Sequence, residues 1–156
     1  MNKPRNIKRL VIGYGNPGRQ DDGLGAAFVK RLESQNIPGI DCFDCYQLNV
    51  EDALTCASYD EIIFVDAHLD LKPPYRLHEI SPSDEALLGS HSLNPEGVLS
   101  LCASLYQKRP KAWTLAIKGC AFDVFEEKLS TQACGNLELA MQAFEHKFLT
   151  KGAARA

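Results

Sequence analysis

The stretch LVIGYGNPGRQDDGLG, Leu10–Gly25, joins a short apolar run to five glycines and an adjacent pair of aspartates. A nearly continuous apolar run stopped by glycine reads as a strand buried on both faces. Beyond it Leu24, Ala27, Phe28 and Leu32 recur at helical spacing, and Asn36, Pro38 and Gly39 mark the stop. The stretch is therefore a strand, a glycine-rich turn and a helix that begins near Asp22. Glycines allow sharp turns and close backbone approach, and the paired acids suit a cation.

The same grammar repeats along the chain. IDCFDCYQ is a second strand, followed by Asn49 with Glu51 and Asp52 as the cap and acidic first turn of a short helix carrying Leu54 and Ala57. EIIFVDA is a third buried strand, and Tyr75 to Ile80 is an edge strand after the paired prolines. Asn94-Pro95-Glu96 starts a helix whose buried stripe is Val98, Leu101, Cys102 and Leu105. Ala112 to Ile117 is a further strand. Leu137, Ala140, Met141, Phe144 and Phe148 form the stripe of a closing helix.

Strands alternating with helices imply right-handed crossovers and a mostly parallel sheet. The expected fold is α/β, a three-layer α/β/α domain with about five strands and helices on both faces. It spans 1–156 as a single unit, with a frayed tail from about 150. Open sheets of this kind carry their sites beyond the carboxyl ends of the strands, which directs attention to the loops after Ile12 and Val65.

Composition narrows the function. A net charge of -3, with 45% hydrophobic and 24% charged residues, is that of an ordinary globular chain and announces no basic face for nucleic acid. No segment approaches membrane-spanning length, and the basic N-terminus lacks a signal-like apolar core, so the expected location is cytoplasmic, with no membrane partner. The six cysteines then read as reduced core residues. Cys42 and Cys45 have the C-x-x-C spacing, but on a strand they point to opposite faces, unlike a redox pair that opens a helix.

The glycine loop does not fit a dinucleotide fingerprint, because its third glycine falls well before the helix, and no Gly-Lys-Ser/Thr of a phosphate loop follows. Taken alone, Asp22 reads as a helix cap; Asp21 competes for that role, leaving the other acid to face the crevice. Asp66 ends the third strand after four apolar residues, where a charge is costly to bury unless paired or bound to a metal. The alternative is a carboxylate accepting backbone hydrogen bonds at a turn. His91, in GSHSLNPEG, reads by itself as an exposed loop histidine. In combination, Asp22, Asp66 and His91 fall at one edge of the sheet and supply two carboxylates and an imidazole, a donor set for a borderline divalent ion. His68, two residues past Asp66, is an accessory to that set.

GYGNPGRQDDGLG, IIFVDA and SHSLNPEGVLSL, in this order and at these intervals, resemble the endopeptidases that mature nickel-iron hydrogenases. The likeness runs from Arg9 to Phe148 and includes KGCAFDVFEEKLS. It implies a protease, aspartic-type or metal-dependent, that removes a C-terminal extension from the hydrogenase large-subunit precursor once nickel is inserted. Asp22, Asp66 and His91 are then the catalytic and nickel-contacting residues, and Gly15, Asn16, Asp21 and His68 face the substrate. The nickel is the substrate's own, and no permanently bound cofactor is implied. Some members of the family carry glutamate where Asp22 stands. Two other readings stay open: a peptidyl-tRNA hydrolase-like esterase, which shares GYGNPG but needs an Arg-His-Asn segment absent here, and a metal-sensing assembly chaperone that binds the precursor without cutting it.

Overall fold

The computed structural model describes residues 6–84 and 93–149. The apolar runs form the strands of one sheet: β1 (Arg9–Tyr14), β2 (Ile40–Cys45), β3 (Glu61–His68), β4 (Tyr75–Ile80) and β5 (Lys111–Lys118). Their order is β2-β1-β3-β5-β4. β1, β2, β3 and β5 run parallel, and β4 pairs antiparallel with β5 at the edge. The helices are α1 (Leu24–Glu33), α2 (Glu51–Cys56), α3 (Pro95–Tyr106) and α4 (Thr131–Phe148), with a 3-10 turn at Gln20–Gly23 ahead of α1.

Period-two alternation along the strands splits the core into two layers. Val11, Ile63, Val65, Leu115 and Ile117 face α1 and α4. Leu10, Ile12, Ile62, Phe64 and Ala112 face α2 and α3. This is the expected three-layer α/β/α arrangement. In the first layer Phe28 of α1 meets Phe144 of α4 edge-on, ring centroids 5.4 Å apart, and each such buried aromatic contributes about 2–3 kcal/mol. All five apolar residues expected on the closing helix are buried. Cys42 packs with the first layer and Cys45 with the second, as their spacing on a strand requires.

Local details differ from expectation. Leu54 of α2 is 57% exposed and Leu105 of α3 is 52% exposed, while Ala53, Cys56, Val98, Leu99 and Cys102 are buried. Each helix is rotated so that these residues, and not Leu54 or Leu105, join the core layer on that face of the sheet. The side chain of Asn49 does not cap α2; instead the Asn49 backbone N–H donates to Asp52 Oδ2 at 2.9 Å. Asn94 does cap α3, its side chain accepting from Gly97 N at 2.8 Å. Cys120 and Cys134 are exposed, against the expectation of core cysteines, because Cys134 lies on the solvent side of α4 and Cys120 in a surface loop.

At the amino end of the sheet Glu61 is buried, but its carboxylate accepts from Arg9 Nε at 2.8 Å and Trp113 Nε1 at 2.7 Å, so the charge is paired. No helix among the described residues is long and apolar enough to cross a membrane. The expected frayed tail lies outside the described residues.

Candidate functional site

The site is built where the parallel strands end. Gly13, the penultimate residue of β1, lies so close to the first turn of α1 that a Cβ there would sit 2.2 Å from the Gly25 carbonyl oxygen. A Cβ on Gly25 would in turn lie 2.7 Å from the backbone of Tyr14 and Val65. This glycine-on-glycine contact presses the start of α1 onto β1 and β3. Gly15 has φ +132, and a Cβ on it would strike the Asp22 carbonyl oxygen. The chain can therefore fold the Asp22 turn back over the end of β1 only with glycine at these positions.

Asp22 sits half-buried in the 3-10 turn, where its Oδ2 accepts from the Asn16 backbone N–H at 2.8 Å. Asn16 Oδ1 accepts from Gly18 N at 2.9 Å, closing the loop on itself. Neither aspartate caps α1, whose first flanking residue is Gly23 with no side-chain cap bond. The carboxylate of Asp22 is thus spent on ordering the loop rather than the helix.

Asp21, expected to face the substrate, is instead fully enclosed. Its Oδ2 accepts from Cys120 N at 2.7 Å, Ala121 N at 2.8 Å and Ser130 Oγ at 2.7 Å, and its Oδ1 from Ser130 N at 2.7 Å. Although burial opposes ionisation, these donors hold its carboxyl below the usual carboxylate range. Of the adjacent pair, one acid is internal and the other borders the crevice. The 3-10 turn points them to different sides.

Asp66 lies one residue past the last paired position of β1 with β3, Gly13 opposite Val65. Continuing that register puts Asp66 beside Tyr14 on the face covered by α2 and α3. Burial raises the Asp66 pKa to about 6; the nearness of the Tyr14 hydroxyl and of His68 counters this, whereas Asp22 and Glu96 add to it. Burial and the Asp66 charge push the Tyr14 hydroxyl far above its ordinary value, so it remains a donor. Asp22 and Glu96, the latter in the first turn of α3, are thus near enough to Asp66 for their charges to oppose its ionisation. His68 is exposed at the end of β3, its carbonyl accepting from Gly119 N at 3.1 Å.

His91 lies outside the described residues, three positions before the Asn94 cap of α3. Among the described residues no group of three or more His, Cys, Asp or Glu side chains is disposed to hold a metal ion. The structure therefore brings together two of the three expected residues, Asp22 and Asp66, and adds Tyr14 and Glu96, which sequence reasoning missed. Tyr14 and Asp66 share a face only because of the β1–β3 register, which the sequence does not reveal.

No family model matches the sequence, and no curated protein matches it. Solved structures do. The hydrogenase maturating endopeptidase HybD of E. coli superposes with a TM-score of 0.73 at 20% identity, over 94% of each chain. The chain has the fold of the hydrogenase maturation endopeptidases. The maturation protease HycI of Thermococcus kodakarensis gives 0.71 at 19% identity, over 90% of this chain and 91% of the other. A hydrogenase 2 maturation peptidase from a Thaumarchaeota archaeon gives 0.68 at 21% identity, over 91% and 98%. In this maturation-endopeptidase fold the crevice at the carboxyl ends of β1 and β3 is the place where Asp22 and Asp66 stand. A cavity of about 480 Å³ lies elsewhere, between Glu33 and Asn36 and the beginning of β2, and none of the candidate residues lines it.

Proposed function

We propose that this protein is an endopeptidase that removes the C-terminal extension of a nickel-iron hydrogenase large-subunit precursor after nickel insertion, and that it acts in the cytoplasm. One observation carries this reading: a fold shared over 90% or more of the chain with maturation endopeptidases, in which the Asp22 turn and Asp66 lie at one sheet edge and the Asp22 charge opposes the ionisation of Asp66. In this reading Asp22, Asp66 and His91 contact the nickel that the precursor already holds. The metal is part of the substrate, and cleavage depends on its presence.

The chemistry follows from the two carboxylates. Asp66, with a pKa of about 6, is ionised at pH 7.5 yet basic enough to take a proton from an attacking water. Tyr14, lying beside it, remains protonated and does not compete for that proton. Asp22 is held by Asn16 N and presents a second negative charge to the cation. Gly15, which lets the Asp22 turn pack against it, borders the proposed substrate crevice together with Asn16 and His68.

The test is incubation with nickel-loaded and metal-free precursor, with the large subunit read by mass spectrometry. A truncated product from the loaded form alone is expected. An unchanged mass with stable association identifies a chaperone instead, and hydrolysis of a peptidyl-tRNA ester identifies the esterase. Asp66→Asn and His91→Ala should each abolish processing.

A further inference from the structure

Residues 119–130 leave the end of β5 as a strap that crosses the carboxyl edge of the sheet before α4 begins. At its start the Gly119 N–H donates to the His68 carbonyl, two residues from Asp66. It then fastens to the loop that carries Asp22: Gln20 N donates to Glu126 O at 2.9 Å, Asp21 N to Ala121 O at 2.9 Å, and Val124 N to Gln20 Oε1 at 3.1 Å. At the centre lies the Asp21 carboxylate, enclosed, with donors from Cys120, Ala121 and both groups of Ser130. Ser130 also caps α4, its hydroxyl accepting from Ala133 N at 3.1 Å. The strap thus joins the Asp66 strand, the Asp22 turn and α4, while Val124 and Phe125 at its middle remain 54% and 84% exposed.

We infer that Asp21 is a positioning residue of the proposed endopeptidase: by tying the strap to the 3-10 turn it sets the placement of Asp22 relative to Asp66. This rests on the proposed activity and deepens it. The β1–β3 ladder stops at Gly13 and Val65, so beyond it the spacing of the two acids is set by what bonds the turn to the strand ends. The strap supplies a path of hydrogen bonds between them, and every oxygen of Asp21 is used in it. Four donors surround the carboxylate. An amide in its place would turn an NH2 toward at least one of them, leaving a buried donor without an acceptor. Misplacing reacting groups by an ångström lowers turnover steeply.

The experiment compares wild type, Asp21→Asn, Ser130→Ala and Ser130→Thr, each held well below its melting temperature. Hydrogen exchange reads the strap, and the cleavage rate at saturating nickel-loaded precursor reads the reaction. Asp21→Asn should exchange the Cys120, Ala121 and Ser130 amides about tenfold faster or more and cut at least about tenfold more slowly. Ser130→Ala, which removes one donor, should fall between, and Ser130→Thr, which keeps the hydroxyl, should restore wild-type turnover. A residue that only stabilises the fold would lower the melting temperature and leave the turnover of folded enzyme unchanged; that result for Asp21→Asn overturns the positioning role. Should Asp21→Asn fail to fold, equal turnover of Ser130→Ala and Ser130→Thr overturns it in the same way. A wild-type protein that leaves loaded precursor uncut is a different failure: it removes the endopeptidase reading, and the positioning role with it.

Discussion

Asp66 and Asp21 are both carboxylates at the same sheet edge, yet their surroundings drive them in opposite directions. Asp21 has four donors, so its charge is stabilised; Asp66 is buried beside two other acids, and the Tyr14 hydroxyl only partly offsets this, so its charge is costly. At pH 7.5 the shift of Asp66 from 3.8 to about 6 corresponds to about 3 kcal/mol of stability withheld. Asp66→Asn removes the charge but keeps an acceptor for Tyr14. Its urea unfolding midpoint at pH 7.5 should rise, with a gain of up to about 3 kcal/mol, while processing is lost; an unchanged or lowered midpoint would show that Asp66 is not strained. Position along the chain was enough to make Asp22 and Asp66 candidates, because Asp66 closes an apolar run at a strand end and Asp22 stands between the glycine loop and the first helix. It was not enough to separate Asp21 from Asp22, since adjacent acids in a turn diverge only when its backbone angles are known. Tyr14 and Glu96 were invisible for a related reason: neither is unusual locally, and only strand register and helix placement bring them to Asp66.

At the level of elements, patterning in the sequence located every strand and α-helix among the described residues: β1, β3 and β5, buried on both faces, leave little ambiguity, and the half-exposed β2 and β4 are set off by the turns around them. Helix rotation was harder. Leu54 and Leu105 look like core residues by type, but the faces of α2 and α3 that meet the sheet are built from Ala53, Cys56, Val98 and Cys102. The 3-10 turn escaped notice because nothing in QDDG separates it from a first helical turn. The contact between α1 and the strand ends makes a sharper prediction. Gly25→Ala would place a methyl 2.7 Å from the backbone of Tyr14 and Val65, costing about 2–3 kcal/mol. The melting temperature should drop by about 5–10 °C in calorimetry. Gly135→Ala is the counterpart. Gly135 lies within α4, and a Cβ there meets nothing within 4 Å, so replacing it should raise stability by about 0.5–1 kcal/mol. If both variants melted alike, the close packing of α1 on β1 and β3 would be wrong.

Across the whole molecule, the opposed shifts of Asp21 and Asp66 give the stability of the fold two contributions with opposite pH dependence. Asp66 has a folded pKa above its unfolded value, so its neutral form favours folding; that contribution is complete below about 4 and is lost as pH rises through about 6. Asp21 is depressed, so its contribution is present above the ordinary carboxylate range and is lost as pH falls through its lower folded value. The effect of Asp66→Asn on unfolding free energy should therefore be near zero at pH 4 and grow to its full value above pH 6. The effect of Asp21→Asn should run the other way, largest near neutrality and shrinking in acid. Processing requires Asp66 ionised, both to meet a cation and to accept a proton, so its rate should climb about tenfold per pH unit below about 6 and level off above it. Denaturant titrations from pH 3.5 to 8, run beside cleavage assays at the same pH values, check the three curves together. An activity profile flat between pH 5 and 8 would mean that the reaction does not depend on the charge of Asp66, and the catalytic assignment would have to move to another residue of the same edge.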